Sequence, residues 1–148
     1  MPRIIDLLTE DTEREITIMH VFYVDVCVRG IHFYRIQPNV GVNLDFCFED
    51  DPMSLIHDRH AIAAKINGGD AHGRKIGHVP KFMSQCLYHF LRHGGTVTGR
   101  VTGNREYSFD LPQGGLQVPV NYCFEGNKRV IDILKVNLLR LIQENMIA

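Results

Sequence analysis

Short segments rich in β-branched and aromatic residues recur along this chain of 148 residues, and turn-forming residues separate them. Segments of this composition are typical of β-strands, and glycine, proline and asparagine are typical of the turns between strands. So many short strands favour a small β-barrel. The candidate strands are residues 16–28, 31–36, 42–48, 60–66, 75–79, 96–102, 107–111 and 116–124.

Two segments depart from the strand pattern and have helical periodicity. In the first, apolar residues recur every three or four positions from Pro80 to about residue 93, and Gly94-Gly95 follows. Proline suits the first turn of a helix and glycine suits its end, so we predict a helix at about 80–93. The second predicted helix, at about 127–145, carries on one face Val130, Ile131, Leu134, Leu138, Leu141 and Ile142.

The apolar stripe of this second helix is wider than one flat contact needs, because Ile133, Val136 and Leu139 extend it. The width has two interpretations, and the sequence favours neither. The helix closes the bottom of a barrel, or it also contacts a partner protein or a second copy of the chain.

These elements predict a mainly β fold with two helices (α+β), namely a small OB-like or SH3-like β-barrel with an inserted helix and a C-terminal helix. We divide the chain into an N-terminal arm (1–15), a barrel domain (16–125) and a C-terminal helix (126–148). Apolar and acidic residues alternate in the arm, which indicates a short helix or an extended segment. They are Ile5, Asp6, Leu7, Leu8, Glu10, Asp11 and Glu13.

The charge distribution limits the partners that we expect. The net charge is −1, but basic residues concentrate in 59–81 and 92–105 and acidic residues in 45–51. Local basic patches on a nearly neutral protein suit a small anionic ligand and not a long polyanion wrapped around the protein. The chain has no apolar run of membrane-spanning length and no signal-peptide core, so we expect an intracellular protein, nuclear if the organism is eukaryotic.

Motifs of the common enzyme classes are absent from the sequence. The chain contains no P-loop, no GxSxG, no HExxH and no GxGxxG after a strand. The pairs His57/His60 and His89/His93 arise readily among eight histidines, and the four cysteines form no CxxC pair. We therefore interpret these histidines as structural or surface residues and the cysteines as buried thiols, and we expect no enzymatic activity, metal or cofactor.

Two short motifs carry residues suited to nucleic-acid contacts. Gly30-Ile-His-Phe-Tyr34 contains adjacent aromatic residues, which on a strand point to opposite faces. One of the two rings is then a platform for base stacking, or both simply pack against the core. In His57-Asp-Arg-His-Ala-Ile62, Asp58 either caps a turn or accepts a hydrogen bond from a ligand hydroxyl.

A third motif, Gly77-His-Val-Pro-Lys81, leads from a strand into the start of the first helix. Unpaired N–H groups and the helix dipole favour an anion at a helix N-terminus, and Lys81 adds a positive charge there. We interpret Arg74 and Lys75 as flanking charges on a hairpin.

The three motifs, in this order and spacing, resemble the HIRAN domain over residues 28–125 or so. The resemblance implies a modified OB-like fold and a non-enzymatic module that captures the 3′ end of single-stranded DNA. It also implies that Phe33 or Tyr34 stacks on a terminal base and that Asp58 accepts the terminal 3′-hydroxyl. By the same resemblance, the phosphate contacts and the apolar lining of the pocket come from His78, Lys81 and Leu116.

Two positions of the implied site differ from the DNA-binding member of the family, and both are histidines here. His32 replaces an arginine and His57 replaces an aromatic residue, and the acidic segment 49–56 lies nearby in the sequence. With the wide stripe of the C-terminal helix, these features favour a second hypothesis. In it the chain is an interaction or assembly module that keeps the barrel and dimerises or docks through that helix.

Overall fold

A computed structural model describes residues 18–34, 36, 38–107 and 115–146, apart from the side chains of His32, Phe33 and Met146. The strands are β1 (His20–Arg29), β2 (Asn43–Phe48), β3 (Ile62–Asn67), β4 (Lys75–His78), β5 (Thr96–Val101), β6 (Glu106–Tyr107) and β7 (Leu116–Gly126). The helices are α1 (Ile31–Tyr34), α2 (Pro52–His57), α3 (Lys81–Arg92) and α4 (Lys128–Met146).

Six of the strands form a closed antiparallel barrel in the order β1-β4-β3-β2-β5-β7, and β7 pairs back with β1. The β1–β7 pairing closes the barrel and extends in unbroken register from His20↔Gly126 to Arg29↔Gln117. The short strand β6 adds to β7 outside this ring. The predicted mainly β barrel, with its inserted helix and its C-terminal helix, is confirmed.

Alternate residues of each strand point into the barrel, and their large side chains fill its interior. Phe46 stacks on Tyr122 with ring centroids 4.8 Å apart, and the Tyr122 hydroxyl donates to the Cys27 carbonyl at 2.6 Å. The two long helices cover the barrel with the apolar positions that their periodicity predicted. Those that are buried include Met83, Leu87 and Phe90 of α3 and Ile131, Leu134 and Leu138 of α4.

Two segments differ from the predicted elements. Residues 31–34 form one helical turn instead of an extended strand, because Gly30 has a φ of 79° and redirects the chain at the end of β1. The acidic segment contains α2, which begins after Asp51, whose side chain accepts a hydrogen bond from the Met53 amide at 3.1 Å.

Other predictions fall partly or wholly outside the described residues. The N-terminal arm lies there entirely, and so does most of the predicted strand 107–111. All four cysteines lie within the described ranges and none forms a disulfide; Cys27 is buried, whereas the other three are half-buried. Within these ranges, no helix is long and apolar enough to span a membrane.

Candidate nucleic-acid interface

The topology brings the predicted DNA-binding residues to one end of the barrel. At this end β1, β2 and β4 finish while β3 and β7 begin, as the pairs Arg29↔His78, Arg29↔Gln117 and Phe48↔Ile62 show. The predicted residues lie on the segments that leave or enter these strand ends. They are His32, Phe33 and Tyr34 on α1, His57 and Asp58 at the end of α2, His78 on β4, Lys81 on α3 and Leu116 on β7.

A close crossing of β1 and β4 sets the position of His78. A Cβ atom on Gly77 would lie 2.3 Å from the Arg29 carbonyl oxygen, so only glycine permits this approach. Next to it, the Gly30 amide donates to the Leu116 carbonyl at 3.3 Å. These contacts hold α1, His78 and the start of β7 side by side.

The buried carboxylate of Glu49 lies at the centre of this end. Its side chain has no exposed surface and accepts hydrogen bonds from Lys75 Nζ at 2.7 and 2.8 Å. The carboxylate also accepts hydrogen bonds from the backbone amides of Asp50 and Asp51, at 2.9 and 2.8 Å. It is hydrogen-bonded to His78 Nε2 as well. Burial alone would raise the pKa of Glu49, but the hydrogen bonds from Lys75, the Asp51 amide and His78 lower it to about 2.

An aromatic ring covers Lys75 and His78. The Tyr34 ring lies against His78 with ring centroids 5.9 Å apart, and Lys75 Nζ lies 5.6 Å from the centroid of the same ring. Burial lowers the pKa of Lys75, but the hydrogen bond and the charge of Glu49 raise it, with a net upward shift. Lys75 therefore lies on the β3–β4 hairpin, as predicted, but its charge is paired with Glu49 in this cluster.

This cluster limits how His78 can contact a ligand. Because Glu49 occupies Nε2, the other ring nitrogen, Nδ1, is the atom available to a phosphate oxygen. The Tyr34 ring is held by α1 and is half-buried, whereas the sequence predicted that residues 33 and 34 lie on a strand and point to opposite faces.

Asp58 forms a tight turn at the entrance to β3. Its Oδ1 accepts the His60 amide at 3.0 Å, and its carbonyl oxygen accepts the Ala61 amide at 3.0 Å. The residue is half-buried and His57 before it is exposed. Among the described residues, Oδ2 of Asp58 has no hydrogen-bond partner, so the turn leaves one oxygen able to accept from a ligand.

The N-terminus of α3 lies on the same side. Pro80 occupies the N-cap position, no side chain among the described residues caps the helix, and its first turn carries no acidic residue. Lys81 is exposed there. No hydrogen bond within the described ranges links Lys81 to Asp58 or His78, so the fold places these residues at one end without joining them directly.

The sequence analysis missed a permanent charge beside His78. Arg29 ends β1, pairs with His78 in the sheet, and donates from Nε to Gln117 Oε1 at 3.2 Å. Its guanidinium carbon lies 5.9 Å from the centroid of the Phe82 ring. The sequence does place Arg29 directly before Gly30, the residue that follows β1 and at which the chain turns, and this position could have identified it. Leu116, at the start of β7, is half-buried near this group.

The family model of the HIRAN domain, described as 'HIRAN domain', matches residues 21–116 of the sequence, and this range includes all of these strand ends. The chain belongs to the HIRAN domain family. The family match confirms the resemblance that the three motifs carry, and no curated protein matches the chain.

Solved HIRAN domains share this barrel. The crystal structure of the HIRAN domain of human HLTF superposes with a TM-score of 0.62 at 16% identity, covering 83% of this chain and 92% of that one. The NMR structure of the HLTF HIRAN domain gives a TM-score of 0.57 at 16% identity, covering 83% and 91%. At this identity the likeness establishes the fold, so the functional assignment rests on the residues of this chain.

Proposed function

We propose that this HIRAN domain is a non-enzymatic module that binds single-stranded DNA at a 3′-hydroxyl end. The observation that carries the proposal is the convergence of an aromatic ring, two basic side chains (a lysine and a histidine) and a carboxylate at one barrel end. These are Tyr34, Lys75, His78 and Asp58. Base stacking, phosphate binding and hydroxyl recognition need these three kinds of group.

The residues that contact the DNA strand have distinct roles in this proposal, and Lys75 helps to position His78 through Glu49. A terminal base stacks on Tyr34 or Phe33, and His78 contacts a phosphate through Nδ1. Lys81 and the amides at the start of α3 hold a further phosphate. Asp58 accepts the 3′-hydroxyl through Oδ2. His32, His57 and Leu116 line the pocket around the terminal nucleotide.

Glu49 limits the net positive charge of the site. Its carboxylate compensates the positive charge of Lys75, so the net charge of this cluster is small. A site that neutralises about two phosphates of a single strand has a log–log salt slope near −1.4 (roughly 0.7 per phosphate). We therefore expect moderate affinity for short strands and no preference for long ones.

Fluorescence anisotropy with labelled oligothymidines tests the proposal. The full chain should bind a 3′-hydroxyl oligonucleotide more tightly than the same strand with a 3′-phosphate, because Asp58 accepts from the hydroxyl and repels the phosphate. Asp58→Asn should reduce this preference, and Asp70→Asn, at an exposed aspartate of another turn, should not. Equal affinity for both ends would refute end recognition.

A specific observation also favours the second hypothesis, a protein-interaction module. On α4, Ile133, Val136 and Leu139 are 53%, 72% and 48% exposed. Light scattering would detect a dimer formed through this face, and Val136→Asp should dissociate it. Leu138 is buried in the core, so a substitution there would test folding instead.

A further inference from the structure

A groove of about 650 Å³ runs between α3 and α4. Its floor is apolar and includes Phe90, Val130, Leu134 and Leu141. A cleft of this size and composition accommodates several side chains of a bound segment.

The polar groups around the groove are mostly basic. Arg129, Arg140, His89 and His93 line it, and none of its described lining residues is acidic. Arg140 forms one ion pair, with Glu144 at 3.5 Å, and both side chains are more than half exposed (57% and 56%). Such a pair contributes little, so the groove favours an occupant that carries both apolar side chains and carboxylates.

The apolar surface extends from the groove across the outer side of α4. At 100° per residue, Ile133, Val136 and Leu139 follow one another around the helix, and Lys135 comes next. Ile133 lines the groove, and Lys135 Nζ lies 5.5 Å from the ring centroid of Phe22 in β1. An exposed apolar band thus connects the groove with the start of strand β1.

We propose that residues 1–17 of the same chain bind along this band and in the groove. The described chain starts at Ile18, directly before β1. Residues 1–17 reach up to about 55–60 Å when extended, several times the helix diameter of about 10–12 Å. The segment combines the two chemistries that the groove favours, with Ile4, Ile5, Leu7 and Leu8 beside Asp6, Glu10, Asp11, Glu13 and Glu15.

The apolar side chains of the segment cover the groove floor and the band, and its carboxylates pair with Arg129 and Arg140. This intramolecular interaction does not rest on the proposed DNA-end binding, because the groove lies between α3 and α4 and the site lies at the strand ends. The two places adjoin at the start of α3, where Phe82 lines the groove and lies beside Arg29.

Hydrogen–deuterium exchange of the full chain, measured by mass spectrometry, tests the proposal. Amides of residues 4–15 should exchange at least about tenfold more slowly in the full chain than in a synthetic peptide of residues 1–17. The double variant Arg129→Glu/Arg140→Glu should abolish this protection. Arg74→Glu/Arg100→Glu, a matched charge reversal at exposed positions outside the groove, should retain it.

Cysteine alkylation provides a second measurement that keeps the groove itself unchanged. Cys86 lines the groove, so Leu7→Asp/Leu8→Asp should increase its alkylation rate several-fold, whereas Cys47 and Cys123 should react as before. Rates at Cys86 that do not change would contradict the proposal. So would amide protection that rises with protein concentration, which would identify a second copy of the chain as the occupant.

Discussion

Glu49 and Lys75, which are 26 residues apart in sequence, form a buried ion pair at the strand ends where the DNA-end site is proposed. The same carboxylate is hydrogen-bonded to His78. One acidic side chain therefore orients both Lys75 and His78, which face Tyr34.

Removing this carboxylate should destabilise the barrel. Glu49→Gln keeps the size of the side chain but leaves Lys75 as an uncompensated, largely buried charge. We expect a loss of about 2–4 kcal/mol in the free energy of unfolding, measured by urea denaturation. Asp50→Asn, at the exposed neighbouring position, should change it by less than about 0.5 kcal/mol. A Glu49→Gln protein as stable as the wild type would show that the ion pair contributes nothing.

Glu49 should also make the stability of the protein depend on pH below about 4.5. The pKa of Glu49 in the folded protein, about 2, is below its ordinary value of 4.5, so its contribution to stability is fully present above pH 4.5. This contribution is lost as the pH falls from 4.5 towards 2. Thermal unfolding should therefore show a large difference between the wild type and Glu49→Gln at pH 7 and a smaller one near pH 3. A difference that does not change with pH would contradict the low pKa.

Tyr34 should contribute to DNA binding through its ring and not through its hydroxyl. Tyr34→Phe should keep most of the affinity for a 3′-hydroxyl oligothymidine, whereas Tyr34→Leu should lose about 1–3 kcal/mol of binding free energy. The control is Tyr23→Leu, at an exposed tyrosine on β1 away from the site. Anisotropy titrations measure the affinity of all three variants. Equal losses of affinity in Tyr34→Leu and Tyr23→Leu would indicate a general surface effect.

Gly77→Ala should separate the two strands that position His78. The added methyl group would lie 2.3 Å from the Arg29 carbonyl, so β4 and β1 must move apart. Overpacking of this kind costs about 1–3 kcal/mol. We expect a lower melting temperature together with weaker oligonucleotide binding. Gly69→Ala, where a Cβ would meet open space, should lower the stability less and leave binding unchanged.

The sequence predicts the fold well because each strand is marked locally. The run His20–Arg29 and the helix that starts after Pro80 carry their own patterns of β-branched or periodic apolar residues. The helical turn after Gly30 was missed, because four residues are too few to show a period. Glu49 and Lys75 were missed for another reason. Their pairing depends on where the end of β2 and the start of β4 lie in space, and no local pattern records that.

Closure of the barrel by its outermost long strands determines when the proposed site can form. Arg29 and Gln117 are hydrogen-bonded although they lie 88 positions apart in sequence, and β7 is the last strand of the described chain. Pairing at such separation is slow relative to local structure. During synthesis, the residues around Tyr34 emerge from the ribosome long before β7 does. The site therefore cannot be completed until β7 has been synthesised, so a nascent chain that ends before residue 116 should be unable to capture a DNA end.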